Sequence, residues 1–216
     1  MTSMTLFYTP ASPYARKVRI VAREKNLAGS INDVLVNLAD APELIRTNPL
    51  GKIPALVRVD GFALYDSPII CAFLDSIGND NLNIDSLGLH SADSSAPLTP
   101  VEGDARWLVL RAEALADGLL DAAVAAVMEG RRPAQEQSAT FVKRQHEKTV
   151  RAIDEMEKQL PLLPSTFNLG HIAFISALGY LDFRIPELAW RNGAPQLAEW
   201  FATADERESA RATRPQ

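Results

Sequence analysis

The first 78 residues alternate between strand-like and helix-like patterns. Four segments have the short apolar runs of β-strands: residues 4–8, 32–37, 54–59 and 62–65. The last two are joined by Asp60-Gly61, a pair typical of a hairpin turn. Helices are predicted after Ser12-Pro13 and after Ser67-Pro68, the second ending near Gly78. The predicted order is therefore β-α-β-β-β-α, a small α/β domain.

The rest of the chain has a different pattern. Residues 78–99 are rich in Asn, Asp, Ser, Gly and Pro, which predicts a polar linker. Beyond it, apolar residues recur at helical spacing in four segments: residues 102–129, 136–160, 168–183 and a helix starting at Pro195. The sequence therefore predicts an α/β domain over residues 1–78, a linker over 79–100 and an all-helical domain over 101–216.

Composition and charge narrow the class of protein. The chain has 216 residues, of which 47% are hydrophobic and 23% charged, as in ordinary globular proteins. The formal charge of −5 gives no overall positive field, so we expect no nucleic-acid partner and no anionic membrane surface. Cys71 is the only cysteine, and no cluster of Cys and His suggests a metal site. Without a basic leader or a long apolar run, we expect a cytoplasmic protein.

The two Ser-Pro pairs carry the first chemical argument. Serine is a favoured N-cap and proline suits the first helical position, so simple capping is one interpretation. A helix N-terminus also presents free N–H groups and partial positive charge, which attract anions. With Lys52 there are three positive loci, and Asp66 adds an acid beside Ser67. That combination suits a ligand carrying an ammonium beside a carboxylate, as in an α-amino acid headgroup.

Residues 48–54 (NPLGKIP) carry the second argument. Pro54 heads a strand, and Ile53 is expected to be extended because it precedes proline. A cis bond before Pro54 would turn the Ile53 backbone outward, ready to pair with an extended peptide. A trans proline in an edge strand is the alternative, and the sequence does not decide between them.

Several motifs together resemble the cytosolic glutathione transferases. In the first half these are residues 9–17 (TPASPYARK), 48–56 (NPLGKIPAL) and 65–70 (YDSPII). The helical half resembles small bacterial members through residues 113–122 (EALADGLLDA), 179–184 (GYLDFR) and 207–209 (RES). The resemblance implies a thioredoxin-like domain followed by a helical bundle, a homodimer, and glutathione as co-substrate without a metal. It also implies a detoxification reaction in which the glutathione thiolate attacks a small hydrophobic electrophile.

The resemblance assigns roles to individual residues. It places Ser12 at the thiol and the backbone of Ile53, before a cis Pro54, on the cysteinyl unit. Asp66 and Ser67 would meet the γ-glutamyl headgroup, and Lys52 the glycyl carboxylate. The electrophile is expected between the two domains, near four residues: Ala11, Tyr14, Trp107 and Arg111.

Thiol acidity sets the energy that Ser12 has to supply. Lowering a thiol pKa of about 8.5 by about two units requires roughly 2.7 kcal/mol. One hydrogen bond to a charged acceptor supplies about 1.5–3 kcal/mol and a helix N-terminus up to about 1 kcal/mol. The Ser12 hydroxyl and the following helix therefore suffice together, with Tyr8 and Tyr14 as rival hydroxyls.

Two residues test the limits of the resemblance. Cys71 lies four residues into a helix, where cysteine usually packs in the core, and thiol-transferring relatives carry cysteine where this chain has Ser12. His171 stands where relatives have an acid closing a capping box, with Phe167 and Ile172 placed as a hydrophobic staple.

Two alternative functions stay open: a scaffold that acts through protein contacts, and a glutathione-dependent isomerase or peroxidase that uses the same site.

Overall fold

A computed structural model of the chain describes residues 3–77 and 96–216. The chain divides into two units, the first running to Val101 and including residues 211–216, and the second spanning Glu102–Ala210. The predicted linker over residues 79–100 lies outside the described residues as far as position 95. No helix in the described ranges is long and apolar enough to span a membrane.

A four-stranded mixed sheet organises the first unit. Its elements, in chain order, are β1 (Met4–Tyr8), α1 (Pro13–Glu24), β2 (Ile31–Leu35), α2 (Pro42–Thr47), β3 (Ala55–Val57), β4 (Ala63–Leu64) and α3 (Ser67–Ser76). The strands lie in the order β2-β1-β3-β4. β1 runs parallel to β2 and antiparallel to β3, and β3 is antiparallel to β4. β1 and β4 therefore run in the same direction, and each is followed by a helix.

The sequence prediction of this unit missed one helix. The order is β-α-β-α-β-β-α, because α2 lies between β2 and β3. A helix of six residues is too short to show a 3.6-residue repeat, and only Leu44 of α2 is buried. Leu44 packs in a core cluster with Phe7 and Ala55, so α2 is held by tertiary packing.

A buried ion pair joins the end of α1 to α3, and its carboxylate also accepts hydrogen bonds from the last residues of the predicted linker. The ammonium of Lys25 lies 3.5 Å from the carboxylate of Asp75, and both side chains are almost inaccessible. Asp75 also accepts hydrogen bonds from the backbone N–H of Leu98, at 2.7 Å, and of Thr99, at 2.9 Å. Such a carboxylate is paired and hydrogen-bonded, which offsets the cost of burying its charge.

The second unit is helical. Its helices are α4 (Gly103–Glu129), α5 (Ala139–Gln159), α6 (Leu169–Arg184), α7 (Pro195–Ala204) and α8 (Glu208–Arg211), of which α8 ends in the residues grouped with the first unit. α6 is buried along nearly its whole length and packs against α4. α5 begins at Ala139, later than the predicted residue 136, because the Ser138 hydroxyl caps it by accepting from Phe141 N.

A side chain from another helix caps α7. The Glu157 carboxylate on α5 accepts hydrogen bonds from the backbone N–H groups of Gln196, at 2.9 Å, and Leu197, at 2.7 Å. These N–H groups have no intrahelical acceptor, and the negative charge also complements the helix dipole. Glu157 therefore fastens the start of α7 to α5.

Candidate functional site

The register of the sheet brings three sequence segments to one edge. β1 pairs Phe7 with Ala55, and β3 pairs Leu56 with Leu64. Continued to Pro54, the two antiparallel registers place this residue between Tyr8 and Asp66. The loop leading to Ser12, the Ile53-Pro54 step and the start of α3 therefore lie side by side. We refer to this row as the sheet-edge site.

Ser12 caps α1 through its hydroxyl oxygen, and this leaves the hydroxyl hydrogen for another hydrogen bond. Its backbone is extended, with φ −78° and ψ 118°, and its hydroxyl oxygen accepts from the N–H of Ala15 at 3.2 Å. Pro13 follows at the start of the helix, as the sequence predicted. A serine hydroxyl has two acceptor lone pairs and one hydrogen. Capping therefore leaves the hydrogen able to donate to an anion at the end of α1.

α3 supplies a second helix N-terminus at the same edge. The N-cap is Asp66 and Ser67 is the first helical residue, so the prediction of Ser67 as the cap is wrong by one position. The Asp66 side chain makes no capping hydrogen bond and is exposed. Ser67 is only 2% exposed, and its hydroxyl makes no hydrogen bond to any residue in the described ranges. One acidic and one hydroxyl group thus flank the positive end of α3.

The loop before β3 is held in shape by Asn48. This residue is 1% exposed, and its amide donates to Lys52 O at 2.8 Å and accepts from Leu50 N at 3.1 Å. Gly51 has a φ of +61°, a conformation that favours glycine. The Ile53-Pro54 peptide bond is cis. The sequence analysis assigned no role to Asn48, although Asn before Pro is itself a turn signal.

The loop presents one charged side chain and one peptide unit. The Lys52 side chain is exposed and forms no ion pair with a described residue. The backbone N–H and C=O of Ile53 also make no hydrogen bond within the described chain. Both are therefore able to meet a ligand lying along the edge.

The two rival tyrosines and the cysteine occupy different positions relative to Ser12. The Arg19 guanidinium lies 4.6 Å from the centroid of the Tyr8 ring and pairs with Asp33 at 2.9 Å. Arg19 is seven residues past Ser12, about 10 Å along the helix axis, so the Tyr8 ring packs beside the body of α1. Tyr14 is half-buried in the first turn. Cys71 is fully buried, which confirms the prediction that it is a core residue.

The four residues predicted to contact an electrophile fall in both units. Ala11 and Tyr14 are half-buried beside Ser12 in the first unit. Trp107 and Arg111 lie one turn apart on α4 in the second unit, and both are exposed. Trp107 is 66% exposed within the chain, so this residue is not part of the core of its unit.

His171 lies in an aromatic cluster at the start of α6. Asn168 caps the helix by accepting from His171 N at 3.3 Å. The imidazole stacks on Phe167 at 5.8 Å between ring centroids and lies 5.5 Å from Trp200. Burial, and secondarily the charge of Arg207, lower the pKa of His171 to about 4. These contacts are in keeping with a structural role for His171.

Within residues 3–77 and 96–216, no three His, Cys, Asp or Glu side chains are grouped to bind a metal.

Comparison with known proteins identifies the family. Residues 11–77 match the glutathione S-transferase N-terminal domain, and residues 118–203 match the C-terminal domain. The chain belongs to the glutathione S-transferase family. The predicted fold, a thioredoxin-like α/β domain with a helical partner, is confirmed.

Three relatives match over nearly their full length. A glutathione S-transferase of Methylobacillus flagellatus KT, solved with glutathione bound, is 41% identical, with a TM-score of 0.85 over 99% of this chain and 100% of its own. A glutathione transferase family member of Pseudomonas fluorescens Pf-5, also solved with glutathione, is 37% identical, with a TM-score of 0.86 over the same shares. The uncharacterized GST-like protein YibF of Escherichia coli is 34% identical over 98% of each chain.

Proposed function

We propose that the protein binds reduced glutathione at the sheet-edge site and that Ser12 stabilises its thiolate for attack on an electrophile. The observation that carries the proposal is the geometry of Ser12, whose oxygen caps α1 while its hydrogen stays available. The glutathione bound to the two solved bacterial relatives supports the choice of ligand.

The chemistry of glutathione matches the groups along the edge. Its γ-glutamyl ammonium would face the Asp66 carboxylate, and its γ-glutamyl carboxylate the Ser67 hydroxyl and the N-terminus of α3. The cysteinyl unit would pair with the backbone of Ile53 as an added strand does. The glycyl carboxylate would meet Lys52. Each charged group of the tripeptide thereby gains a partner of opposite sign or a hydrogen-bond donor.

The reaction needs no further catalytic group for its first step. The Ser12 hydrogen bond and the α1 N-terminus lower the thiol pKa, so thiolate dominates near neutral pH. The thiolate sulfur then forms a bond to the electrophilic carbon. In a substitution the leaving group departs with the electron pair of the broken bond, and in an addition to a double bond the neighbouring carbon receives the π electron pair and takes up a proton. Trp107 and Arg111, both exposed, stay candidates for contact with this second substrate.

Three further properties follow from the family and are proposed with the activity. We propose a cytoplasmic homodimer that acts in detoxification. Three exposed apolar side chains at the β4 edge and on α3 support a self-association surface: Phe62, Tyr65 and Ile69, which are 58%, 37% and 51% exposed. Light scattering after size exclusion measures the oligomer, and a monomeric mass would contradict it.

Ultraviolet difference absorbance of glutathione bound to the protein, titrated across pH, tests the role of Ser12. We expect a thiolate band that appears about two pH units below that of free glutathione and disappears in Ser12→Ala. Ser138→Ala is the matched control, because Ser138 also caps a helix at 3.2 Å and belongs to the second unit. Ser12→Thr keeps a hydroxyl and should keep part of the signal.

The outcomes separate the proposal from its rivals. An unchanged thiolate band in Ser12→Ala would show that Ser12 does not activate the thiol. The absence of saturable binding at millimolar glutathione would contradict the transferase and leave a scaffold. A thiolate band without conjugation of any tested electrophile would indicate the isomerase or peroxidase.

A further inference from the structure

A groove on α5 lies outside the sheet-edge site. It has a volume of about 910 Å³ and runs between the exposed side of α5 and the turn around residues 134–137. Its lining on α5 recurs every three or four residues: Ala139, Val142, Lys143, His146, Glu147, Val150 and Arg151. This stripe spans three helical turns, about 18 Å along the axis. We call it the α5 groove.

The α5 groove is distinct from the face by which α5 packs into its own unit. The packed face carries the buried side chains Gln145, Thr149, Ile153 and Met156. The groove residues are displaced from these around the helix, and Val150 is 43% exposed. α5 therefore has one face that is covered and a second, with apolar residues at helical spacing, that is open.

The charges beside the open stripe are not neutralised. Residues 143–151 contain four cations, Lys143, Arg144, Lys148 and Arg151, against the single acid Glu147. Glu147 stands four residues from both Lys143 and Arg151, a spacing at which helical ion pairs form. None of these five side chains forms an ion pair in residues 3–77 or 96–216. This surface is locally positive in a chain whose net charge is −5.

We propose that the α5 groove binds an acidic amphipathic helix of a partner protein. The apolar side of such a helix would lie on Val142 and Val150, and its acidic residues would face Lys143 and Arg151. The small Ala139 side chain permits close approach of a helix backbone. This is the helix-in-groove mode, in which residues at i, i+3, i+4 and i+7 anchor the ligand.

The charges beside the α5 groove favour an acidic helix over a second copy of the chain as its ligand. Two α5 helices packed antiparallel about a two-fold axis at Glu147 would place Lys143 opposite Arg151 of the other copy. Like charges at such a contact oppose association, whereas an acidic helix gains two opposite-sign contacts. The inference does not depend on the sheet-edge site, because no groove residue belongs to it.

A pair of synthetic peptides tests the proposal on the full-length protein. The first is an amphipathic helix about 18 residues long with Leu at i, i+3, i+4 and i+7 spacing and Glu on its flanks, and the second has Lys in place of every Glu. Fluorescence anisotropy should show saturable binding of the acidic peptide alone. The double variant Lys143→Glu/Arg151→Glu should weaken it about tenfold or more.

A matched variant controls for overall charge. Lys158→Glu changes the net charge by about −2, as Lys143→Glu alone does, but at an exposed position of α5 outside the groove, and it should leave binding unchanged. Val150→Gln tests the apolar contact without a charge change and should also weaken binding. It serves as the second variant if the double variant does not fold, which circular dichroism checks.

Four results would overturn the proposal. The first three are absence of binding at roughly millimolar acidic peptide, equal weakening by Lys158→Glu, and a change in oligomeric mass in Val150→Gln. The third of these would identify the groove as an interface between copies of the chain. Preferential binding of anionic lipid vesicles, lost in the groove variants while the acidic peptide fails to bind, would assign the surface to a membrane and also contradict the proposal.

Discussion

The His171 imidazole should make the stability of the protein depend on pH. The side chain is 7% exposed, stacks on Phe167 and contacts Trp200, and its Nδ1 has no hydrogen-bond partner among the described residues. A protonated imidazole in this position would lose its hydration and lie near the positive charge of Arg207. The pKa is therefore lowered from 6.5 to about 4.

The size of the effect follows from the two pKa values. As pH falls below about 6.5, the unfolded chain takes up a proton that the folded chain resists, so the contribution of neutral His171 to stability is lost from there downward. The loss amounts to about 2 kcal/mol at pH 5 and about 3 kcal/mol at pH 4, and it levels off below pH 4. Above about pH 7.5 the contribution is complete, because the imidazole is then neutral in both states.

Urea unfolding at a series of pH values measures this dependence. In His171→Gln the free energy of unfolding should fall less steeply between pH 6.5 and 4 than in the natural protein, by about 2–3 kcal/mol over the range. His146→Gln controls for the removal of an imidazole outside this cluster. A His171→Gln variant that keeps the full slope of the natural protein, or a histidine resonance of His171 that titrates near 6.5, would refute the reasoning.

Three further changes test other parts of the structure. Asp66→Asn should weaken glutathione binding about tenfold by calorimetry, through loss of one charged contact, and Asp60→Asn on the nearby hairpin should not; equal effects would contradict the site. Glu157→Gln should lower the free energy of urea unfolding by about 1–2 kcal/mol, because the amide keeps one of the two acceptor oxygens and loses the charge that caps α7. Lys25→Met should lower the free energy of unfolding by about 3 kcal/mol, since it removes the ammonium that pairs with the buried Asp75 carboxylate, and a loss below 1 kcal/mol would contradict that account.

Local signals in the sequence account for much of the fold. Ser12-Pro13 predicts the start of α1 because the cap and the proline act within one turn of the helix. The elements that were missed or misplaced depend on distant contacts. α2 exists because Leu44 packs against Phe7 and Ala55, and no pattern within six residues reveals this. The N-cap of α3 is Asp66 instead of the predicted Ser67, because the Ser-Pro pattern does not locate a helix start to within one residue.

The sequence predicted several residues of the sheet-edge site but not the geometry that holds them. Helix-start signals and the resemblance both directed attention to Ser12, Lys52 and Asp66. The cis bond before Pro54 depends on tertiary structure, and the sequence left both isomers open. The role of Asn48 could not be predicted from the sequence, because its hydrogen bonds to the loop backbone form only when the loop is folded.

Amide chemical-shift mapping of the isotope-labelled protein with reduced glutathione tests the central claim, that three separate segments form one glutathione site. The account predicts saturable shifts that fit a single binding constant at Ser12, Ile53 and Ser67, with residues of α5 such as Thr149 unchanged. The same titration is repeated with γ-Glu-Ser-Gly, the analogue in which a hydroxyl replaces the thiol. It should shift the amide signals of Ile53 and Ser67 and give a smaller change at Ser12. Shifts confined to other parts of the chain, or none at millimolar glutathione, would contradict it.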